Sequence, residues 1–451
     1  MSNAMSNAAM TSAAPANWTG VPFEARPKFS LLVVSGLVSA AIPLILSLYW
    51  IAFWMLSETL GPPLRISMLG CTLFLAFLWY RAPVSHAEVK LFRVLGLAAI
   101  LWLIPTLTAT DPAHALVGWI KMVLLFVVCG AAARGLRHPA TARVFALSLL
   151  ASAAILGAFI LFAYVKNVGV TLPTYKAARE FKGTVAMSDL PLNSIAFTAV
   201  FSYLAGLCLV PRNRRLIFLG IPLFAIASIF TGSRAPLAIL GASAFVLVCI
   251  NCLRAKWIVF RMASAAVVLG VILAAAAMVL LVSDRDLNAA TEGRSHLFSV
   301  GVQKFVERPL FGYGYESWRD DLVSRLPGEY DLTFDLAKNL GGGYHNEYIS
   351  VLAEEGLMGA LAAGLVIWLL VRSSWLLAFR RWATMETRPW ALFSCVFLLL
   401  RANVEVPGLF GYAQEPADYL AYIFLAIVVS RFSAEQDYAR LLKRGGGVAA
   451  A

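Results

Sequence analysis

Thr291-Glu292-Gly293-Arg294-Ser295-His296, then Pro309-Leu310-Phe311-Gly312-Tyr313-Gly314, then Gly341-Gly342-Gly343-Tyr344-His345-Asn346-Glu347-Tyr348, and finally Glu355-Gly356-Leu357-Met358-Gly359 punctuate one polar stretch late in the chain. Apolar runs at 260–282 and 356–379 bracket it, each about the ~20 residues that a membrane-spanning helix requires. A histidine- and arginine-bearing island between two spans fixes the class as a polytopic membrane protein with one large extramembrane loop. Such a loop is the natural place for chemistry on a substrate carried by a lipid.

Working outward, the 451 residues are 60% hydrophobic and 14% charged, with a mean hydropathy of +0.76, which excludes a soluble domain of this size. Apolar runs at 29–56, 64–80, 91–107, 114–133, 144–165, 191–210, 216–231, 234–252, 260–282, 356–379, 389–407 and 417–431 predict an all-α fold of about twelve transmembrane helices. The large loop falls between spans nine and ten. This divides the chain into an N-terminal tail (1–28), spans one to nine (29–282), the loop (283–355), spans ten to twelve (356–431) and a C-terminal tail (432–451). The opening Met1-Ser2-Asn3-Ala4-Met5-Ser6-Asn7-Ala8 resembles an expression-tag remnant, and no cleavable signal peptide is expected before the first span. The tail beyond Ser433 is polar and glycine-rich, and is expected to be loose. All six cysteines lie in or beside apolar runs, so no disulfide framework is implied.

Short cytoplasmic loops carry an excess of Lys and Arg. Here every second loop is basic: Arg81, Lys90 and Arg93; Arg134, Arg137 and Arg143; Arg212, Arg214 and Arg215; Arg254, Lys256 and Arg261; Arg380, Arg381 and Arg388. Both termini are therefore expected to be cytoplasmic, and the net charge of +12 reflects this bias rather than a nucleic-acid partner. The intervening loops face outward, among them 57–64, 108–113 and 407–418. Two outward loops are basic against the rule. One holds Lys166, Lys176, Arg179 and Lys182, and the other is the long loop with Arg294, Lys304 and Arg308. An anionic ligand at the outer surface explains such cations, while a loop balanced by its own acids (Asp320, Asp321, Asp331, Asp335) is the plainer alternative.

Within these loops, Thr231-Gly232-Ser233-Arg234-Ala235-Pro236 reads as a turn in which Ser233 caps the next helix and Arg234 stands beside the helix N-terminus. That arrangement suits a phosphate, although an arginine snorkelling to headgroups fits as well. Thr291 to Arg308 reads as an amphipathic helix with a Leu297, Val300, Phe305 stripe, ended by Pro309 and presenting Arg294 from its first turn. A surface helix with a solvated arginine is the alternative.

Tyr344-His345-Asn346-Glu347-Tyr348 opens a helix leading into span ten. A histidine near a helix N-terminus is biased toward the neutral form, which can accept a proton, though a lone loop histidine is more often structural. Of the five histidines, only His114, His296 and His345 can face outward. Arg401 and Glu405, four apart in the span-eleven run, are expected to pair with each other, with a substrate-pathway role for Arg401 as the alternative. No metal-ligand cluster and no nucleotide-binding motif stands in the outward loops.

A Ser-Arg turn heading a late span, an Arg-bearing segment followed by Pro-Leu-Phe-Gly-Tyr-Gly, and a His-Asn element leading into Glu-x-Gly-Leu-x-Gly resemble the O-antigen ligase and Wzy polymerase superfamily. With one dominant late loop, the chain is most similar to its O-antigen ligases. The resemblance spans roughly 211–418; the N-terminal half matches in hydropathy alone. It implies a metal- and cofactor-free, inverting membrane glycosyltransferase of the C-type (GT-C) architecture. Such an enzyme sits in the Gram-negative inner membrane with its active site periplasmic, and acts in lipopolysaccharide biosynthesis.

The implied partners are undecaprenyl-diphosphate-linked O-antigen, lipid A-core oligosaccharide and membrane lipids. His345 would be the base, with Arg234 and Arg294 neutralising the departing diphosphate. Lys166, Lys176, Arg179, Lys182, Ser233, Tyr344, Asn346 and Arg401 are the further candidates for substrate binding. Alternatives are a Wzy-type polymerase, which uses a second lipid-linked glycan as acceptor, and an O-linked protein oligosaccharyltransferase. A lipid-linked glycan flippase is the reading from a different class; no internal repeat supports it.

Overall fold

A helix that is apolar on every side has no face to offer water and must be surrounded by other helices or by lipid. Tyr419 to Val429 is such a segment, and in the computed structural model every residue from Asp418 to Ser430 is buried. The structure describes residues 41, 44, 45, 70, 74, 86–137, 139–170, 192–209, 220, 223, 226, 230, 239, 241, 243, 245, 298–315, 317, 344, 346–379, 388–402, 409, 410 and 416–445.

Eight helices carry the description: α1 (His86–Thr108), α2 (Pro112–Gly135), α3 (Pro139–Val168), α4 (Leu192–Leu209), α5 (298–307), α6 (Glu347–Phe379), α7 (Arg388–Arg401) and α8 (Pro416–Gly445). No strand occurs among the described residues. α1, α2, α3 and α6 are long and apolar enough to cross a membrane, and α4 and α7 are shorter apolar helices. The all-helical, multi-span character expected from composition therefore holds; span nine and most of spans one, two, seven and eight lie outside the described residues.

α8 is the axis, packed by α1, α2, α4 and α6. Tyr422 reaches α2 twice, through its hydroxyl to Met122 Sδ at 3.3 Å and through its ring to Phe126 at 5.6 Å between centroids. Between helices in lipid there is little hydrophobic gain, so close approach through small residues sets the pairing. α3 and α4 follow that rule: Ala142, Ala146, Ala153 and Ala163 are buried on one helix and Ala196, Ala199 and Ala205 on the other. At Gly206 a Cβ would stand 3.0 Å from Leu150 Cγ.

Three helix limits depart from the sequence reading. α8 continues as a helix to Gly445, past the apolar run that ends at 431, because Ala434, Glu435, Gln436, Ala439, Leu441 and Leu442 are good helix formers. α7 ends at Arg401, with Ala402 in a turn, and residues 403–407 of the expected run lie outside the described residues. The amphipathic segment is helical through Glu307, one residue short of the expected stop at Arg308.

Charged side chains join helix ends. At one end Glu88, fully buried, lies 3.5 Å from Arg137 Nη1 and 4.0 Å from Arg134 Nε. Arg431, near the same apolar limit of α8, donates to Leu209 O at 2.7 Å, joining the two helices whose C-terminal ends were expected on that side. The turn between α1 and α2, the 309–317 segment, the start of α6 and residues 402, 409 and 410 gather at another place, bonded to one another as described next.

Candidate functional site

Gly356 adopts φ 61° and ψ −158°, a conformation only glycine takes without strain, and it breaks α6 into a short leading segment and a long span. The break falls at the boundary between loop and span ten that the hydropathy marks. A broken helix strands its neighbouring carbonyls and amides. Here the Pro309–Gly314 turn satisfies them: Tyr313 N donates to Ala353 O (3.2 Å) and Gly314 N to Glu354 O (2.7 Å), while Leu357 N and Met358 N donate to Pro309 O (2.8 Å) and Leu310 O (3.2 Å). The two glycine motifs, over forty residues apart in sequence, are thus one structural unit.

Close approach of two backbones makes this joint intolerant of side chains. At Gly312 (φ 65°) a Cβ would stand 2.3 Å from Glu354 O, and at Gly356 one would stand 2.6 Å from Leu310 C. Gly312→Ala is expected to destabilise the protein by about 2–4 kcal/mol, combining the left-handed backbone cost with overpacking against backbone that cannot yield. A thermal melt in detergent checks this; an unchanged midpoint would show that the joint rearranges freely.

The unit is tied to the α1–α2 turn. Thr110 donates to Tyr313 O twice, through its N–H (3.1 Å) and its hydroxyl (2.8 Å). Asp111 caps α2 by accepting from His114 N at 3.1 Å, and Pro112 follows in the first turn, where a missing donor costs nothing. Around Tyr313 the charges are organised by its ring: Lys304 Nζ and Arg308 Cζ lie 5.0 and 4.8 Å from its centroid, and its hydroxyl donates to Glu307 Oε2 at 2.5 Å. Lys304 is fully buried and donates to Ser317 O at 2.7 Å. This loop cation is therefore committed to holding the turn.

α6 begins where the sequence places it. Asn346 is the cap: its Oδ1 accepts from Tyr348 N (3.0 Å) and Ile349 N (3.1 Å), and its carbonyl from Ser350 Oγ (3.0 Å). Tyr344 is fully buried and packs with Val300, Ile349 and Ala353. Its ring, with Ile349, closes over Gly301, so α5 rests on the first turns of α6.

One residue past the cap, Glu347 is 1% exposed and bridges three segments. Its N–H donates to Ala402 O at 2.8 Å, and its Oε2 accepts from Leu409 N at 2.9 Å, with the Phe410 amide also donating. Arg401 lies within electrostatic reach of that carboxylate, and its guanidinium carbon is 3.6 Å from the Phe197 ring centroid of α4. Tyr348 OH adds a bond to Leu399 O at 3.0 Å. Asp418, in the first turn of α8 and fully buried, lies close enough to share an electrostatic influence on Tyr422 with Glu347.

Of the sequence-derived candidates, Tyr344, Asn346, Arg401 and Lys166 are described. The first three converge at the start of α6. Lys166 is exposed in the last turn of α3, where a cation also suits the negative end of the helix dipole. His345 lies outside the described residues, between the described Tyr344 and Asn346; Ser233, Arg234, Arg294, Lys176, Arg179 and Lys182 also lie outside. Arg401 was expected to pair with Glu405, which is outside too; among the described residues its carboxylate neighbour is Glu347. Sequence reasoning passed over Glu347 and Asp418. The signal for both was available, since each is an acid at the edge of an apolar run, where an unpaired charge is costly.

Residues 216–364 match the Wzy_C family, described as O-antigen ligase. That span holds α5, the Pro309–Gly314 turn, the cap of α6 and the Gly356 break, together with Arg234, Arg294 and His345. No curated protein matches the chain. The chain thus carries, over about a third of its length, a segment similar to the O-antigen ligase family.

Proposed function

We propose that the protein is an O-antigen ligase, moving a glycan from undecaprenyl diphosphate to lipid A-core at the periplasmic face of a Gram-negative inner membrane, with a GT-C architecture. The observation that carries this reading is the joining of the family's matched region into one polar end of an otherwise apolar bundle: the 309–317 turn, the α6 cap and the α1–α2 turn are bonded together. The outward-loop assignment from the positive-inside pattern puts that end on the periplasmic side.

In this mechanism His345 takes the proton from the acceptor hydroxyl, whose oxygen forms a bond to the anomeric carbon of the donor. The bond from that carbon to the diphosphate oxygen breaks in the same displacement, inverting the centre. Undecaprenyl diphosphate leaves with the electron pair, and Arg234 and Arg294 neutralise the charge that develops on it. Lys166, Lys176, Arg179, Lys182 and Ser233 are proposed contacts to phosphates of donor or acceptor. Tyr344, Asn346 and Arg401 support the segment that carries His345. With proton transfer assigned to a side chain and charge neutralisation to arginines, no step calls for a metal, so transfer is expected to proceed in EDTA.

Offering purified protein two acceptors separately tests the reading. Glycosylation of lipid A-core, without growth of the lipid-linked glycan, is expected. Growth of the lipid-linked glycan alone would replace the ligase by a polymerase, and retention of the donor's anomeric configuration in the product would sink the single displacement.

A further inference from the structure

Lys121 stands nine residues beyond Pro112 in α2, roughly 13 Å along a helix rising 1.5 Å per residue, in a segment apolar enough to span a membrane. A lysine at that position needs either a route to water or an anion. His114, Gly118 and Lys121 share one face of α2, at successive turns. Tyr315, from the turn that follows the Pro309–Gly314 motif, is laid across that face and is 4% exposed. Its seat exists because residue 118 is glycine: a Cβ there would meet Tyr315 Cγ at 2.6 Å.

The ring is stacked on His114 at 5.4 Å between centroids and lies 5.5 Å from Lys121 Nζ. A ring face holds a cation in place but leaves most of an ammonium's three donors unused. Among the described residues no carboxylate forms an ion pair with Lys121; the ion pairs found there are those of Glu88 with Arg134 and Arg137. Beside it Leu116, Val117 and Ile120 are 39%, 47% and 46% exposed, an apolar strip open to the bilayer.

We propose that this face of α2, with Tyr315 across it, is a seat for a phosphate carried on a lipid: Lys121 binds the anion, and the chain lies along Leu116, Val117 and Ile120. A simple snorkelling lysine would need neither the glycine nor the tyrosine from the loop. Two sources share this chemistry, an isoprenoid phosphate and a bilayer phospholipid headgroup; only the first rests on the transfer reading above.

Binding to the full-length protein, stripped of lipid in detergent, separates them without any turnover. Undecaprenyl phosphate, dioleoyl phosphatidylglycerol and, as the uncharged comparison, dioleoylglycerol are titrated and bound lipid is counted by native mass spectrometry. Lys121→Gln is expected to weaken at least one of the two phosphate lipids about tenfold, with Lys121→Arg close to wild type and dioleoylglycerol unaffected. A selective loss of undecaprenyl phosphate assigns the seat to an isoprenoid carrier, and a selective loss of phosphatidylglycerol assigns it to the bilayer. Should Lys121→Gln fold poorly, Gly118→Ala keeps the cation but displaces the ring and is expected to weaken the same lipid about threefold. Equal affinity of wild type and a folded variant for both phosphate lipids overturns the proposal.

Discussion

Replacing His345 with alanine is expected to lower the rate of glycan transfer roughly 100- to 10,000-fold, the range that a positioned general base supplies. The fall should appear in kcat with the KM for the lipid-linked donor little changed, because proton removal from the acceptor is felt in the transition state and not in donor binding. The wild-type rate should also decline as pH drops through the imidazole range, about 6.5 for an unperturbed histidine, because only the neutral ring can accept the proton. Steady-state kinetics of both proteins across pH check this. A variant that keeps a tenth or more of the wild-type kcat removes His345 as the base, whatever becomes of the ligase reading.

The second large effect is on stability. Glu347→Ala is expected to cost about 2–6 kcal/mol, because the Leu409 and Phe410 amides lose their acceptor and each buried donor left unsatisfied costs about 1–3 kcal/mol. The substitution also removes a carboxylate whose charge acts on the 2% exposed Arg401. Glu347→Gln keeps an amide oxygen for Leu409 N and should fall between alanine and wild type. Removing the charge on both sides, with Glu347→Gln and Arg401→Met together, should recover part of the loss seen with alanine, because the Leu409 amide keeps an acceptor and two charges that act on one another go together. Thermal unfolding in detergent reads all four proteins. If alanine at 347 leaves the midpoint within a degree of wild type, the Glu347 bridge between α6, Ala402 and residues 409–410 is not holding this end of the bundle together.

These two residues also show what the amino-acid sequence conveys and what it hides. His345 and the cap at Asn346 are local features: an asparagine followed by a helical pattern, with glycines before it, is visible in a window of ten residues. The α6 start follows from such a local signal, whereas the break at Gly356 does not, the sequence reading as a helix that leads on into span ten. The partner of Arg401 does not. Helical spacing favoured Glu405, yet α7 ends at Arg401, and the carboxylate that faces it among the described residues comes from another helix start 54 positions earlier.

The joint between Pro309–Gly314 and Glu354–Met358 was hidden for the same reason. Each motif contains glycines, but that the two satisfy one another's stranded backbone groups is a tertiary fact with no signature in either window. Buried Lys304 repeats the lesson. Its sequence position reads as a loop cation for an anion, whereas its ammonium is spent on Ser317 O and the Tyr313 ring.

Transfer and transport make opposite forecasts for the lipid carrier, and that difference tests the central claim most directly. Purified protein in detergent, with EDTA, no ion gradient and no second compartment, is given undecaprenyl-diphosphate glycan and lipid A-core, and both products are quantified with time. Free undecaprenyl diphosphate and glycosylated lipid A-core should appear together, one for one, as the donor disappears. A donor that remains intact while the protein is folded and both lipids are bound would contradict the account and return a lipid-linked glycan flippase to first place.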